Sequence, residues 1–209
     1  MSTTYEIKLG APPQEAHYTP WGQCLEFTRC KDGEAVIAGP AETGKTLAAL
    51  FKLHICACKY PDASIVMARK QLTDTYPSVV KMFQDKVLDE HAPCVVYGGE
   101  KPQWFQYFNG SRIWVAGLDK AGKVLSAEHD IIYINQAEEL TLGDWETLTT
   151  RTTGRAGHMP YSQTIGDCNP AGERHWIVKR ANEGLLTLFK STHRDNPTLF
   201  NPYTGEITE

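Results

Sequence analysis

Residues 39–46 read Gly-Pro-Ala-Glu-Thr-Gly-Lys-Thr and satisfy the pattern GxxxxGK[ST] in full. The pattern constrains the fold around it. Glycines let successive backbone N–H groups curl around a β-phosphate, and a helix starting immediately afterwards aims its positive end at the same anion. Both flanks comply. EAVIA (34–38) is a short apolar run, and KTLAALFKLHICACKY (45–60) repeats Leu47, Leu50, Phe51, Ile55 and Cys58 at helical spacing. Strand, glycine loop and helix thus follow one another, and a glycine turn beside a surface lysine is the weaker explanation. In this reading Gly39, Pro40, Ala41, Glu42, Thr43 and Gly44 cradle the phosphates of ATP. Lys45 reaches the β- and γ-phosphates, and the Thr46 hydroxyl ligates Mg2+.

The rest of the chain alternates strand-like and helix-like segments. Pro61 ends the first helix, SIVMA (64–68) returns as a buried strand, and residues 73–88 carry an amphipathic pattern through Val79, Val80, Phe83 and Val87. CVVY (94–97), WFQYF (104–108) and RIWVAG (112–117) are strand-like, and Asn109-Gly110 between the last two is a hairpin signal. DIIYI (130–134) is a further buried strand, Thr141 can cap a helix holding Trp145 and Leu148, and SQTIG (162–166) precedes a helix behind Pro170. The alternation predicts an α/β fold: a mostly parallel central sheet with helices on both faces and an antiparallel hairpin excursion. The expected organisation is a lead-in over 1–33, where Thr19 and Pro20 begin a short helix, a core over 34–195, and a tail or linker start over 196–209.

Composition narrows the setting. With 209 residues, 41% hydrophobic and 22% charged, the chain has the profile of one soluble domain and not of a disordered one. No apolar run reaches the roughly 18 residues of a membrane helix, and the start MSTTYEIKLG lacks a signal-like apolar region, so a soluble intracellular protein is expected. The six cysteines form no CxxC pair, which fits reduced thiols; His54 and Cys58 share a helix face, but metal ligation there is the less expected outcome. A formal net charge of -4 gives no chain-wide positive field for nucleic acid. Any DNA contact must be local. Residues 151–194, where basic side chains outnumber Asp167, Glu173 and Glu183, could face DNA or form a solvated surface.

Magnesium and the attacking water call for a carboxylate at the end of a second buried strand. At that point the chain carries Asn135 and Gln136, two neutral amides, followed by Glu138 and Glu139. Either Glu138 or Glu139 supplies the carboxylate, with Gln136 orienting water as glutamine does in GTPases, or the domain binds nucleotide and hydrolyses it slowly or not at all. Both glutamates would also simply favour the N-terminus of the next helix. Asp167 and Asn169 stand at a strand end, placed either to touch the γ-phosphate or its water, or to make a turn and helix start.

The ordered set YTPWGQ, AGPAETGKT, VMARKQLTDTYPSV, FNGSRIWVAGLD, INQAEELT, TIGDCNP and THRDNPTL resembles the N-terminal ATPase domain of the large subunit of tailed-phage terminases. The resemblance implies a P-loop NTPase of the additional-strand type and an ATP- and Mg2+-dependent motor that packages double-stranded DNA into a procapsid. It implies that Gln23 contacts adenine and that TIGDCNP couples phosphate state to movement, and it favours Glu139, which matches the glutamate before the family's Leu or Ile, as the catalytic base. Thr46, with Asn135 through water, would serve the metal. An arginine acting in cis or in trans is expected, Arg151 and Arg155 first and Arg69 next, although each also fits a solvated loop charge. The family commonly has acids where Asn135 and Gln136 stand, which leaves base assignment open between the two glutamates. Its other expected partners are copies of itself in a ring, the portal and the small terminase subunit, in the host cytoplasm and without a membrane. The family's ribonuclease H-type nuclease domain finds no room before Glu209. The alternatives are another P-loop enzyme such as a small kinase, or a nucleotide-binding assembly module without hydrolysis.

Overall fold

The computed structural model describes residues 18–89, 91–120, 126–170, 172–201 and 203–207. Within them, β1 (Glu34–Ala38), β2 (Ser64–Arg69), β3 (Cys94–Tyr97), β4 (Trp104–Tyr107), β5 (Arg112–Gly117), β6 (Ile131–Ile134), β7 (Gln163–Cys168) and β8 (Thr187–Lys190) form one sheet. Its order is β3-β4-β5-β2-β6-β7-β1-β8. From β5 to β8 every pairing is parallel, while β3–β4 and β4–β5 are antiparallel. The expected α/β architecture, with its Asn109-Gly110 hairpin, is what forms. Strand β7 lies between β1 and β6, which is the additional-strand arrangement.

Helices α1 (Gly22–Arg29) and α2 (Lys45–Lys59) cover one face together with α3, a segment that begins at Leu72–Thr75. On the other face lie α4 (Leu142–Thr149) and α5 (Trp176–Asn182). Alternate strand residues feed the two cores. Ala35, Ile37, Ile65, Met67, Ile131 and Tyr133 pack towards α1 to α3, and Val36, Val66, Ala68, Ile132 and Ile134 pack towards Trp145, Leu148 and Ile177. Burial on both faces is why these strands read as continuous apolar runs. Helix α4 starts at the expected cap, where Thr141 and Asp144 form a reciprocal capping box.

Four details depart from expectation. In α2 the buried face is Ala48, Ala49, Leu50, Leu53, Cys56 and Ala57, while Ile55 and Cys58 are exposed. A helix apolar nearly all round does not reveal its inner face by periodicity, and the small alanines take the closest approach to the sheet. Helix α3 continues in wide π turns over Tyr76–Val80, where Pro77 lacks the N–H that an α-helical turn would use, and again over Phe83–Val87. Helix α5 begins only at Trp176, where the His175 ring accepts from the Ile177 amide, so no helix starts directly behind Pro170. Strand β8 was not foreseen: it is only half-buried and follows α5 almost without a break. Among the described residues no helix is long and apolar enough to cross a membrane.

Lys52 ties α1 to α2. The residue is 1% exposed, and its ammonium donates to the carbonyls of Phe27 at 3.2 Å and Cys30 at 2.5 Å, at the end of α1. Burial pulls its pKa from 10.5 down to about 8. Between those values the unfolded chain holds more protons than the folded one, so this lysine adds stability as pH rises from 8 to 10.5. Buried thiols such as Cys24 and Cys94, pushed up to about 12, act in the opposite sense above pH 9. The comparison with a variant isolates the lysine. Relative to Lys52→Met, the wild-type protein should gain up to about 3 kcal/mol between pH 7.5 and 10.5, read from urea unfolding at each pH. A pH-independent difference would show that Lys52 is not buried in its charged form.

Candidate active site

Because β1, β7, β6 and β2 run parallel, their C-terminal ends share one edge of the sheet. The P-loop leaves β1 there. Its path uses left-handed backbone at Glu42 (φ 63°) and Gly44 (φ 85°), the latter capping α2. Lys45, 9% exposed, donates from Nζ to the Pro40 carbonyl at 2.9 Å. Thr43 is fully buried, donating to Pro40 O at 3.2 Å and accepting from Ser191 Oγ at 2.9 Å. The loop is also held from outside: Cys24 Sγ donates to Thr43 O at 3.4 Å and Asn196 Nδ2 to Glu42 O at 2.7 Å. Gln23, expected at the adenine, adjoins Cys24, and its backbone N–H donates to Asp195 Oδ1 at 3.1 Å. Asp195 approaches so closely that a Cβ on Gly22 (φ +52°) would lie 1.9 Å from the same oxygen.

Asp167 on β7, 1% exposed, is the carboxylate that meets the loop. The Thr46 hydroxyl donates to its Oδ2. Asn135 Nδ2 donates to both of its oxygens, at 3.0 and 3.2 Å, Tyr133 Oη to Oδ1 at 3.0 Å, and the Gln136 amide to Oδ1 at 3.2 Å. Burial first, and Asp167 second, raise the Tyr133 pKa far above its ordinary value, so the phenol remains a donor. Thr46 and Asp167 offer the hard oxygen donors that Mg2+ prefers. Among the described residues no group of three or more His, Cys, Asp or Glu could hold a metal ion.

The two glutamates are engaged elsewhere. Glu138 Oε1 accepts from the Asn169 amide at 3.0 Å and from its Nδ2 at 2.9 Å, so Asn169 is turned to Glu138. Glu139 pairs with Arg69 Nη2 at 2.9 Å, and the same nitrogen donates to Gln136 Oε1. Gln136 reaches this position in left-handed backbone, φ 54°. Among the described residues neither glutamate is hydrogen-bonded to the P-loop. Of the three candidate arginines, Arg69, at the C-terminal end of β2, is the one on this edge. Arg155 pairs with Glu128 at 2.6 Å, and Arg151 O accepts from the His129 amide at 2.9 Å. Both sit at the N-terminal end of β6, so the structure separates these two first candidates from this chain's own P-loop. Tyr133, Ser191, Asp195 and Asn196 also build the site, although none was singled out as a site residue. Asp195 and Asn196 lie in THRDNPTL, where the spacing Thr192-x-x-Asp195 forms a capping box.

Residues 31–208 match the family profile described as phage terminase large subunit. The chain belongs to that family. Among solved structures, it is similar to the large terminase of a thermophilic bacteriophage, with TM-score 0.69 and 17% identity over 88% of this chain and 48% of that one. The same phage protein in complex with ATP-gamma-S gives TM-score 0.64 at 16% identity, covering 88% of this chain and 48% of that one. The large terminase ATPase domain of Thermus phage P74-26 gives TM-score 0.59 at 14% identity, with 83% and 81% covered. This terminase chain thus spans about half the length of the full large terminases it matches. No curated protein matches it. Family membership leaves the small-kinase alternative without support.

Gly39 sets how closely β8 approaches the loop. A Cβ there would lie 2.2 Å from Ser191 Oγ and 2.7 Å from the Ser191 carbonyl. Gly39→Ala should lower stability by roughly 1–3 kcal/mol in urea unfolding, and adding Ser191→Ala should recover only part, since the carbonyl clash remains. Full stability in the single variant would contradict this packing.

Proposed function

We propose that this terminase chain binds ATP with Mg2+ at the P-loop and hydrolyses it as the motor that drives double-stranded DNA into procapsids. The observation that carries the reading is the meeting of Lys45, Thr46 and Asp167 at the C-terminal edge of β1 and β7. Family membership supports it, as do the thermophilic phage terminases solved with ADP and with ATP-gamma-S. The loop Gly39 to Thr46 binds the phosphates, Gln23 flanks adenine, and residues 34–195 are the ATPase core between a lead-in and a linker. Gln136, clamped by Arg69 and Glu139, positions the attacking water, with Glu139 the carboxylate of that group. Glu138 and Asn169 carry the phosphate state to the turn before α5. Magnesium, when bound, neutralises charge on the phosphates.

The working assembly is a ring of copies at the portal of the procapsid, with the small terminase subunit, in the host cytoplasm. Arg151 or Arg155 would act on a neighbour's nucleotide. Arg180 is withdrawn from any DNA face by its bidentate pairing with Glu34 at 2.6 and 2.7 Å, leaving Arg174, Lys179, Lys190 and Arg194 for salt-sensitive contacts to the duplex backbone. The amides Asn135 and Gln136 favour a second reading, a nucleotide-gated assembly module; ATP bound tightly with no phosphate release at high protein concentration would establish it.

Lys45→Ala should weaken binding of a fluorescent ATP analogue by about 100-fold, and unchanged affinity would overturn the nucleotide reading. Glu139→Gln should lower kcat by about 10²–10⁴-fold while leaving nucleotide affinity in place. Equal turnover in that variant would remove Glu139 from the chemistry.

A further inference from the structure

We infer that Asp167, on the inserted strand β7, is the carboxylate that holds the nucleotide's magnesium ion through Thr46, in place of an acid at the end of β6. The inference rests on the nucleotide reading above and names the metal-binding group of the same site. Three observations lead to it.

The first is position. Thr46 is the hydroxyl that the P-loop presents to a cation, and it donates to Asp167 Oδ2. A hydroxyl that gives a lone pair to a cation keeps its proton for a carboxylate, so this bond persists when Thr46 is a ligand and sets Asp167 beside the metal's shell.

The second is charge. Asp167 is 1% exposed, and among the described residues its hydrogen-bond donors are neutral: Thr46, Tyr133, Asn135 and the Gln136 backbone amide. Among the described residues no lysine or arginine makes an ion pair with it. A buried carboxylate without a counter-charge is expensive, and a divalent cation at Thr46 supplies that charge.

The third is the identity of residue 135. Asn135 turns its NH₂ group to both Asp167 oxygens, at 3.0 and 3.2 Å. An aspartate at 135 would set two carboxylates at that separation, and both could not ionise together. The amide at 135 and the acid at 167 are therefore a matched pair that keeps one negative charge and exchanges which strand carries it. Glu138 and Glu139 do not compete for the role, being held by Asn169 and Arg69.

Two binding measurements on the full chain test this, without relying on turnover. Electron paramagnetic resonance titrates Mn2+ onto the complex with ATP-gamma-S, and a fluorescent ATP analogue reports nucleotide affinity in EDTA. Asp167→Asn should lower Mn2+ affinity about 10–100-fold while metal-free nucleotide affinity stays within about threefold of wild type. Asn135→Asp combined with Asp167→Asn moves the charge back to β6 and should restore Mn2+ affinity to within about threefold of wild type. The exchanged pair also decides the matter if the single variant does not fold: a loss beyond about tenfold in the folded double variant overturns the inference. So does a single variant that binds Mn2+ as wild type does. A wild-type protein that binds no nucleotide overturns the nucleotide reading and this inference together, whereas nucleotide binding with unchanged Mn2+ affinity in Asp167→Asn overturns this inference alone.

Discussion

Asp167 accepts hydrogen bonds from Thr46 at the start of α2 and from Tyr133, Asn135 and Gln136 at the end of β6, so one buried side chain joins the P-loop to the strand that carries the amides. The sheet order makes that reach possible. Neighbouring strands lie about 4.8 Å apart, which sets β7 one spacing and β6 two from β1. The Asp167 carboxylate on β7 meets Thr46, and Tyr133, Asn135 and Gln136 serve as donors that orient it.

From this centre two connections run outward. Gln136 gives its amide to Asp167 and its side-chain oxygen to Arg69, which in turn holds Glu139. A non-glycine residue in left-handed backbone costs about 1 kcal/mol or more, and these contacts offset it. The second connection is Glu138, which holds Asn169 immediately after β7, while its carbonyl meets His175 Nε2 at 3.3 Å. Trp176 Nε1 donates to Leu140 O at 2.7 Å in the same layer. The end of β7 is thus tied to α5 through two short polar bridges.

Much of this was legible in the residue order. The P-loop announces itself because backbone chemistry at a phosphate needs its glycines and lysine at fixed offsets, and the buried strands announce themselves because both sheet faces are covered. The Thr141 cap and the Asn109-Gly110 hairpin are local signals that local structure obeys. Long-range partners were not legible. Nothing in TIGDCNP says that its aspartate meets Thr46, since that contact is fixed by the strand order, which periodicity does not encode. Ser191 and Asn196 were not singled out for the same reason: they touch the loop from 148 and 154 positions away. Strand β8 escaped notice because an edge strand with one partner buries too little to impose a pattern.

The arginines follow from the same topology. Strand β6 is four residues long, about 13 Å, and Arg151 and Arg155 lie by its first residue whereas the P-loop lies beyond its last. An arginine side chain spans roughly half that distance, so neither can touch a phosphate held by its own chain without the sheet coming apart. Arg69 ends β2 on the correct edge, but its guanidinium is already shared between Gln136 and Glu139. In that position it holds the Gln136 and Glu139 side chains together. Charge stabilisation from Arg151 or Arg155 would therefore need a second copy whose β6 start abuts this P-loop.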